Sequence, residues 1–218
     1  MNKINFHPVF GKFLKYFLIF VILPFTYCAA QYRPQQFFRE DWKEIPAATG
    51  VTQAHVVNKD LILGLYGPGC DSTRKSHHDT PADDPYYIWS GLCRGNWVVT
   101  LKNTKSYVDL SSYGKILWRS RQSGLRCLHP VLKLADGTWL VGSQGDCLSK
   151  DWRVTEFNIA DIDWYSLDIK SVIEIKPVAN PDLSKVDEIG FTDLMTGGGS
   201  DASSRLDWIE VYGKPVKR

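Results

Sequence analysis

Apolar residues along this chain recur in short runs with a period of two, not in stripes with a period near 3.6. In Lys115–Arg121, residues Ile116, Trp118 and Ser120 point one way, while Lys115, Leu117, Arg119 and Arg121 point the other. In Leu125–Leu134 the set Leu128, Pro130, Leu132 and Leu134 reads as core, and Cys127, His129, Val131 and Lys133 read as a wet face. Alternation of this kind marks strands with one buried face. Similar runs, rich in β-branched and aromatic residues, fall at Thr52–Val57, Leu61–Tyr66, Tyr86–Leu92, Trp97–Lys102, Trp139–Gly142, Arg153–Asn158, Trp164–Ile169, Val172–Lys176, Val186–Thr192 and Leu206–Tyr212. Gly, Pro, Asn and Asp separate them. A short helical turn is expected near Asn158–Asp163, and no segment carries a sustained helical stripe. About a dozen strands without helical crossovers predict an all-β fold of two packed antiparallel sheets.

The first thirty residues follow another pattern. Lys3, Lys12 and Lys15 precede an apolar run from Tyr16 to Tyr27, and Ala29 and Ala30 follow. Basic, then apolar, then small is the order of a secretory signal peptide, so residues 1–30 are read as removed and the protein as secreted or periplasmic. A retained N-terminal anchor is the alternative. Residues 31–50 read as a lead-in segment and 51–218 as the sandwich domain. Thr196–Ser200, with three glycines, reads as a loop.

Charge narrows the partners. The full chain has 26 basic and 24 acidic residues. Without residues 1–30 it has 23 and 24, a net −1 with charge dispersed. That balance disfavours nucleic acid and, after signal cleavage, anionic membranes. Cys70, Cys93, Cys127 and Cys147 make an even count, which in an exported chain predicts disulfides. Folding the hairpin about Asp136-Gly137 brings Cys127 opposite Cys147 and leaves Cys70 with Cys93. Zinc is disfavoured because no C-x-x-C spacing occurs.

Candidate chemistry is spread along the chain. Arg119, Arg121, His129 and Lys133 form a set that could line a groove, since arginine's fork of donors suits hydroxyls and carboxylates, acidic sugars included. Of the tryptophans, Trp89, Trp97, Trp118, Trp152, Trp164 and Trp208 read as core. Trp139, which follows a turn, is the candidate for stacking on a sugar. His77-His78-Asp79 with Asp83-Asp84 reads as a solvated polar loop, with a transition metal as the alternative. Glu156, Asp161, Asp163, Glu174, Glu188 and Glu210 are available for a hydrolase pair, but their spacing selects none. No nucleophile elbow, phosphate loop or dinucleotide fingerprint occurs.

The closing stretch Leu206-Asp207-Trp208-Ile209-Glu210-Val211-Tyr212-Gly213 resembles the last strand of carbohydrate-binding modules with the galactose-binding-like jelly roll. Val108-Asp109-Leu110-Ser111, Pro181-Asp182-Leu183-Ser184-Lys185-Val186 and Ile189-Gly190-Phe191 share their rhythm, so the likeness spans roughly Val108 to Tyr212. Leu134–Gly142 is similar to a segment of uncharacterised bacterial secreted proteins. The resemblance implies a jelly-roll sandwich and a non-catalytic, lectin-like module with a glycan partner. In many such modules an Asn shortly precedes the closing-strand Asp; here Ser204 and Arg205 stand there. Asp207 is the candidate oxygen ligand for a structural calcium, or else an acceptor of backbone hydrogen bonds. A glycan-active hydrolase and an adhesive protein-binding surface are the rival readings.

Overall fold

The computed structural model describes residues 33–44, 50–195 and 202–218. The signal-peptide reading of residues 1–30 and the loop reading of Thr196–Ser200 lie outside them. The strands in chain order are β1 (Gln36–Glu40), β2 (Leu61–Tyr66), β3 (Arg74–Ser76), β4 (Tyr87–Trp89), β5 (Trp97–Asn103), β6 (Ser106–Asp109), β7 (Lys115–Gln122), β8 (His129–Leu134), β9 (Trp139–Gly142), β10 (Arg153–Asn158), β11 (Trp164–Asp168), β12 (Ile173–Val178), β13 (Val186–Asp193), β14 (Ser204–Tyr212) and β15 (Lys214–Lys217). Six form one sheet in the order β10-β7-β14-β4-β3, with β1 also on β14. The other nine run β12-β11-β9-β8-β13-β5-β2, with β6 attached at β13 and β15 on β6. Every pairing among the described strands is antiparallel. The chain is an all-β sandwich of two antiparallel sheets, as its alternation predicts, and the jelly-roll class is what the resemblance implies.

The core lies between the sheets. Ile116 and Trp118 of β7 and Leu206, Ile209 and Val211 of β14 meet Leu132, Leu140, Ile189 and Phe191 from the other sheet. Trp118 bridges the layers, with its ring 4.5 Å from Phe157 of β10 and 6.2 Å from Phe191 of β13. Burying such rings contributes about 2–3 kcal/mol each through area removed from water.

The structure alters several expectations. Thr52–Val57 is not a strand: Gln53–His55 is a single 3-10 turn, held where the Nδ1 of His55 accepts from the Thr52 N–H at 3.0 Å. The lead-in segment supplies β1, whose residues Phe38–Glu40 pair with Ile209–Val211. The face of β8 expected to be wet is partly roofed. Val131 is buried in a second apolar cluster with Val98, Val141, Leu167 and Val172, and Tyr66 and Trp139 pack on it.

The Asp136-Gly137 turn forms as expected, with Gly137 at φ +92°, a left-handed value that glycine adopts without penalty. It sets the register that brings Leu128 opposite Asp146, where two backbone hydrogen bonds of 2.8 and 3.0 Å close. Cys127 and Cys147 flank that pair and are disulfide-bonded. Cys70 and Cys93 are not joined, contrary to expectation. Their loops touch, since the Gly69 N–H donates to the Asn96 carbonyl at 2.8 Å. The thiols, however, face different surroundings: Cys70 lies 3.7 Å from the Asp71 carboxylate, while Cys93 is fully buried in the core. A chain beginning at Gln31, denatured without reductant, should therefore expose two thiols to a colorimetric thiol reagent; a count of zero would mean that Cys70 and Cys93 are bonded.

Candidate functional site

The outer face of the six-stranded sheet carries a polar groove of about 930 Å³. Its floor comes from β14 and β7. A bulge at Leu206/Trp208 sets two residues of β14 against one of β7, so that both Asp207 and Trp208 lie opposite Arg119. Arg119 donates from Nη1 to Oδ2 of Asp207 at 2.7 Å. Its other N–H groups, and Oδ1 of Asp207, have no partner among the described residues. Burial pushes the Asp207 carboxyl above the usual aspartate range, outweighing the attraction of Arg119.

One wall comes from β1 and the residues after it. The Arg39 guanidinium lies 4.4 Å over the Trp208 ring, binds Asp41 at 2.6 Å and is ion-paired with Glu210. Arg119 in turn lies 5.6 Å from the Trp152 ring centre, so arginine and tryptophan alternate across β1, β14, β7 and the residue preceding β10. The opposite wall is the loop between β3 and β4. His77 stacks on Tyr86 with centroids 4.0 Å apart, and its Nδ1 lies 2.9 Å from the Asp84 carbonyl. The Asp84 carboxylate takes the His78 backbone N–H at 2.8 Å. Behind this wall Lys75 is fully buried, with its ammonium 4.7 Å from the Tyr86 ring centre and 3.2 Å from the Ser76 carbonyl. Burial draws its pKa down to about 8, against the pull of Asp207, Asp84 and Glu44.

The sandwich separates the residues expected to form one site. Arg119 and Arg121 lie on the outside of the six-stranded sheet. His129, Lys133 and Trp139 lie on the outside of the nine-stranded sheet, because β7 and β8 turn their buried faces toward each other across the core. Lys133 binds Glu188 at 2.8 Å and sits 5.2 Å over Trp139, whose ring packs edge-on against Tyr66. Glu188 also accepts from Tyr66 and Thr100, so that cluster is closed upon itself. The Nδ1 of His129 meets the Gly142 carbonyl at 3.0 Å. Arg121 is exposed beyond the groove. Asp207, read as a candidate calcium ligand or a backbone acceptor, is ion-paired with Arg119. No three His, Cys, Asp or Glu among the described residues are grouped to hold a metal. None of the six carboxylates considered for hydrolysis lines the groove. The loop at 77–84 is not merely solvated, since His77 and Asp84 form a wall.

Trp208 is half-buried on the groove, Trp152 beside it, and Trp89 farther along the same sheet, whereas all three read as core in the sequence; Trp97, Trp118 and Trp164 are buried as expected. Alternation from Ile209 would have placed Trp208 outside. Arg39, Asp41, Lys75 and Tyr86 reach the site only through pairing between distant segments, which no local pattern announces.

No protein-family model and no curated protein matches the sequence. Solved structures align with it at low identity. One is a family 11 carbohydrate-binding module from Clostridium thermocellum in complex with a β-1,3-1,4-mixed-linked tetrasaccharide, with TM-score 0.44 and 11% identity over 79% of this chain and 97% of that one. Another is the family 11 module of a cellulosomal cellulase from the same organism, with TM-score 0.45 and 10% identity over 84% and 96%. An exo-β-agarase aligns with TM-score 0.43 and 9% identity over 74% of this chain and 24% of its own. The chain is similar in outline to jelly-roll carbohydrate-binding modules, and at these scores the likeness transfers neither ligand nor site.

Proposed function

We propose that the chain is an exported, non-catalytic module that binds a glycan in the groove on the outside of the six-stranded sheet. The carrying observation is the Arg119–Asp207 pair, half-sunk beside Trp208, with donors on one partner and an acceptor oxygen on the other unused among the described residues. A sugar ring offers vicinal hydroxyls that both donate and accept, and an apolar ring face. A donor–acceptor pair next to an indole matches those demands. Arg39 and Arg119 pack on the tryptophans and hold them in one orientation, so little rotamer entropy is lost on docking. The leader-like residues 1–30 and the Cys127–Cys147 bond support export.

The test is a glycan array followed by calorimetry on the bound glycan. Trp208→Ala and Arg119→Ala should each weaken binding about tenfold or more, which corresponds to about 1.4 kcal/mol, while both variants keep the wild-type circular dichroism spectrum. No bound glycan, or wild-type affinity in both variants, would remove the proposal.

A further inference from the structure

Beyond the groove, the same sheet face carries a row of arginines that no carboxylate among the described residues neutralises. Arg121 on β7 stands directly opposite Arg205 on β14. Arg205 stands opposite Trp89 on β4, and Trp89 opposite Arg74 on β3. The row crosses four strands, roughly 14 Å at the usual spacing between strands. Arg94 adds a fourth guanidinium where a cavity of about 540 Å³ opens beside Trp89. Among the described residues none of the four has a carboxylate partner. Arg74 donates from Nη1 to the carbonyls of Asp71 and Thr73, at 2.5 and 3.0 Å, and those contacts orient it without cancelling its charge.

Two features mark the row as more than a solvated face. First, like charges directly opposite on neighbouring strands destabilise a sheet, so the Arg121–Arg205 pairing opposes folding. Three cations elsewhere on this face are neutralised: Arg39 by Asp41 and Glu210, Lys115 by Glu156, and Arg119 by Asp207. Secondly, the cavity is built from closely packed backbone. A Cβ on Gly69 would meet the Gly95 carbonyl at 2.0 Å, and one on Gly91 the Ser72 carbonyl at 1.9 Å. The two loops are therefore locked together, which fixes the segment that carries Arg94 next to Trp89.

We infer that this row, with Trp89 and its cavity, is a second binding site, and that its ligand is an acidic polysaccharide carrying carboxylates or sulfates. Guanidinium forks take carboxylate and sulfate oxygens in paired, charge-assisted hydrogen bonds. A polyuronate carries one carboxylate per ring, a repeat comparable with the strand spacing of about 4.8 Å. Trp89 sits among the arginines as a surface on which a sugar ring stacks. Nucleic acid fits less well: single strands are held by several aromatic platforms on which successive bases stack, and this row offers one indole among four guanidiniums. The site stands on residues separate from the groove and does not depend on the groove's ligand.

Affinity electrophoresis in gels containing polygalacturonate, a sulfated galactan, a neutral β-glucan or single-stranded DNA tests the inference on the chain beginning at Gln31. Retardation by polygalacturonate or by the sulfated galactan is expected, and added salt should weaken it. The double variant Arg121→Gln, Arg205→Gln should lose at least about tenfold in affinity, as expected for two charge-assisted contacts. Its thermal midpoint should equal or exceed that of the wild type, because a like-charge opposition is removed. Trp208→Ala should leave acidic-glycan binding intact, which separates this site from the groove. Failure of both acidic gels to retard the wild type, or unchanged retardation of the double variant, overturns the inference. Tighter binding to the DNA than to either acidic glycan overturns the choice of ligand.

Discussion

Replacing Asp146 by Ala is expected to lower stability by about 3–5 kcal/mol, the cost typical of breaking a buried, hydrogen-bonded charge. The Asp146 side chain is fully buried. Its Oδ2 accepts from the Trp118 indole N–H at 3.0 Å and from the Ser120 hydroxyl. Its Oδ1 takes the Arg153 guanidinium, with Nε at 2.8 Å. Removing the carboxylate leaves the indole and hydroxyl donors buried and unpaired. Both sit on the inward side of β7, the strand whose outward side carries Arg119. In a domain of this size the loss corresponds to roughly 10 °C or more in thermal midpoint. Asp146→Asn keeps one acceptor oxygen and should recover part of the difference. Urea unfolding of the three chains measures it, and a difference between Asp146→Ala and wild type within about 0.5 kcal/mol would refute the role given to this residue.

Glu40→Ala is the second substitution with a large expected effect, about 3 kcal/mol or more. The Glu40 carboxylate is wholly buried and accepts three backbone N–H groups: Trp42 at 2.9 Å, Val57 at 2.7 Å and Asn58 at 3.0 Å. Each orphaned buried donor costs about 1–3 kcal/mol. These bonds tie the end of β1 to the loop before β2 and thereby hold Arg39 and Asp41 as a wall of the groove. Stability and glycan binding should therefore fall together. Burial pushes the Glu40 carboxyl above the ordinary glutamate range, against the lowering effect of its three N–H partners. A folded-state pKa raised in this way gives a contribution that is complete below the unfolded value and is lost as pH rises through the folded value. The stability difference between wild type and Glu40→Gln should accordingly shift in favour of the variant as pH rises from about 4 to 7. A difference independent of pH would show that Glu40 does not titrate differently in the folded chain.

The two sheets were legible because the alternation of β7 and β8 is a local property. A side chain's face follows from its position in the strand, and Trp139–Gly142 and Arg153–Asn158 have the same bounds in the structure as in the pattern. The strands without an apolar signal were missed. Arg74–Ser76 holds a buried lysine, and Lys214–Lys217 is an edge strand whose side chains are exposed or half-exposed. Cys127 and Cys147 were legible as a pair because a short hairpin determines its own register. Cys70 and Cys93 lie in irregular loops whose side-chain directions follow from tertiary packing.

What the chain's own order of residues determined is the layering: which residues turn inward, where the Asp-Gly turn reverses direction, and that Arg119 and Arg121 share an outward face. What the tertiary structure alone decided is which outward residues meet. Arg119 parts from Lys133 and Trp139 because their strands belong to opposite sheets, and it gains Asp207 and Trp208 through a bulge. The physical reason is one of range. Burial period is encoded residue by residue along a strand, whereas strand order and bulge position are set by the competition of every pairing in the sheet for a common core. A groove made by β1, β7, β14 and a distant loop exists only after that competition is resolved.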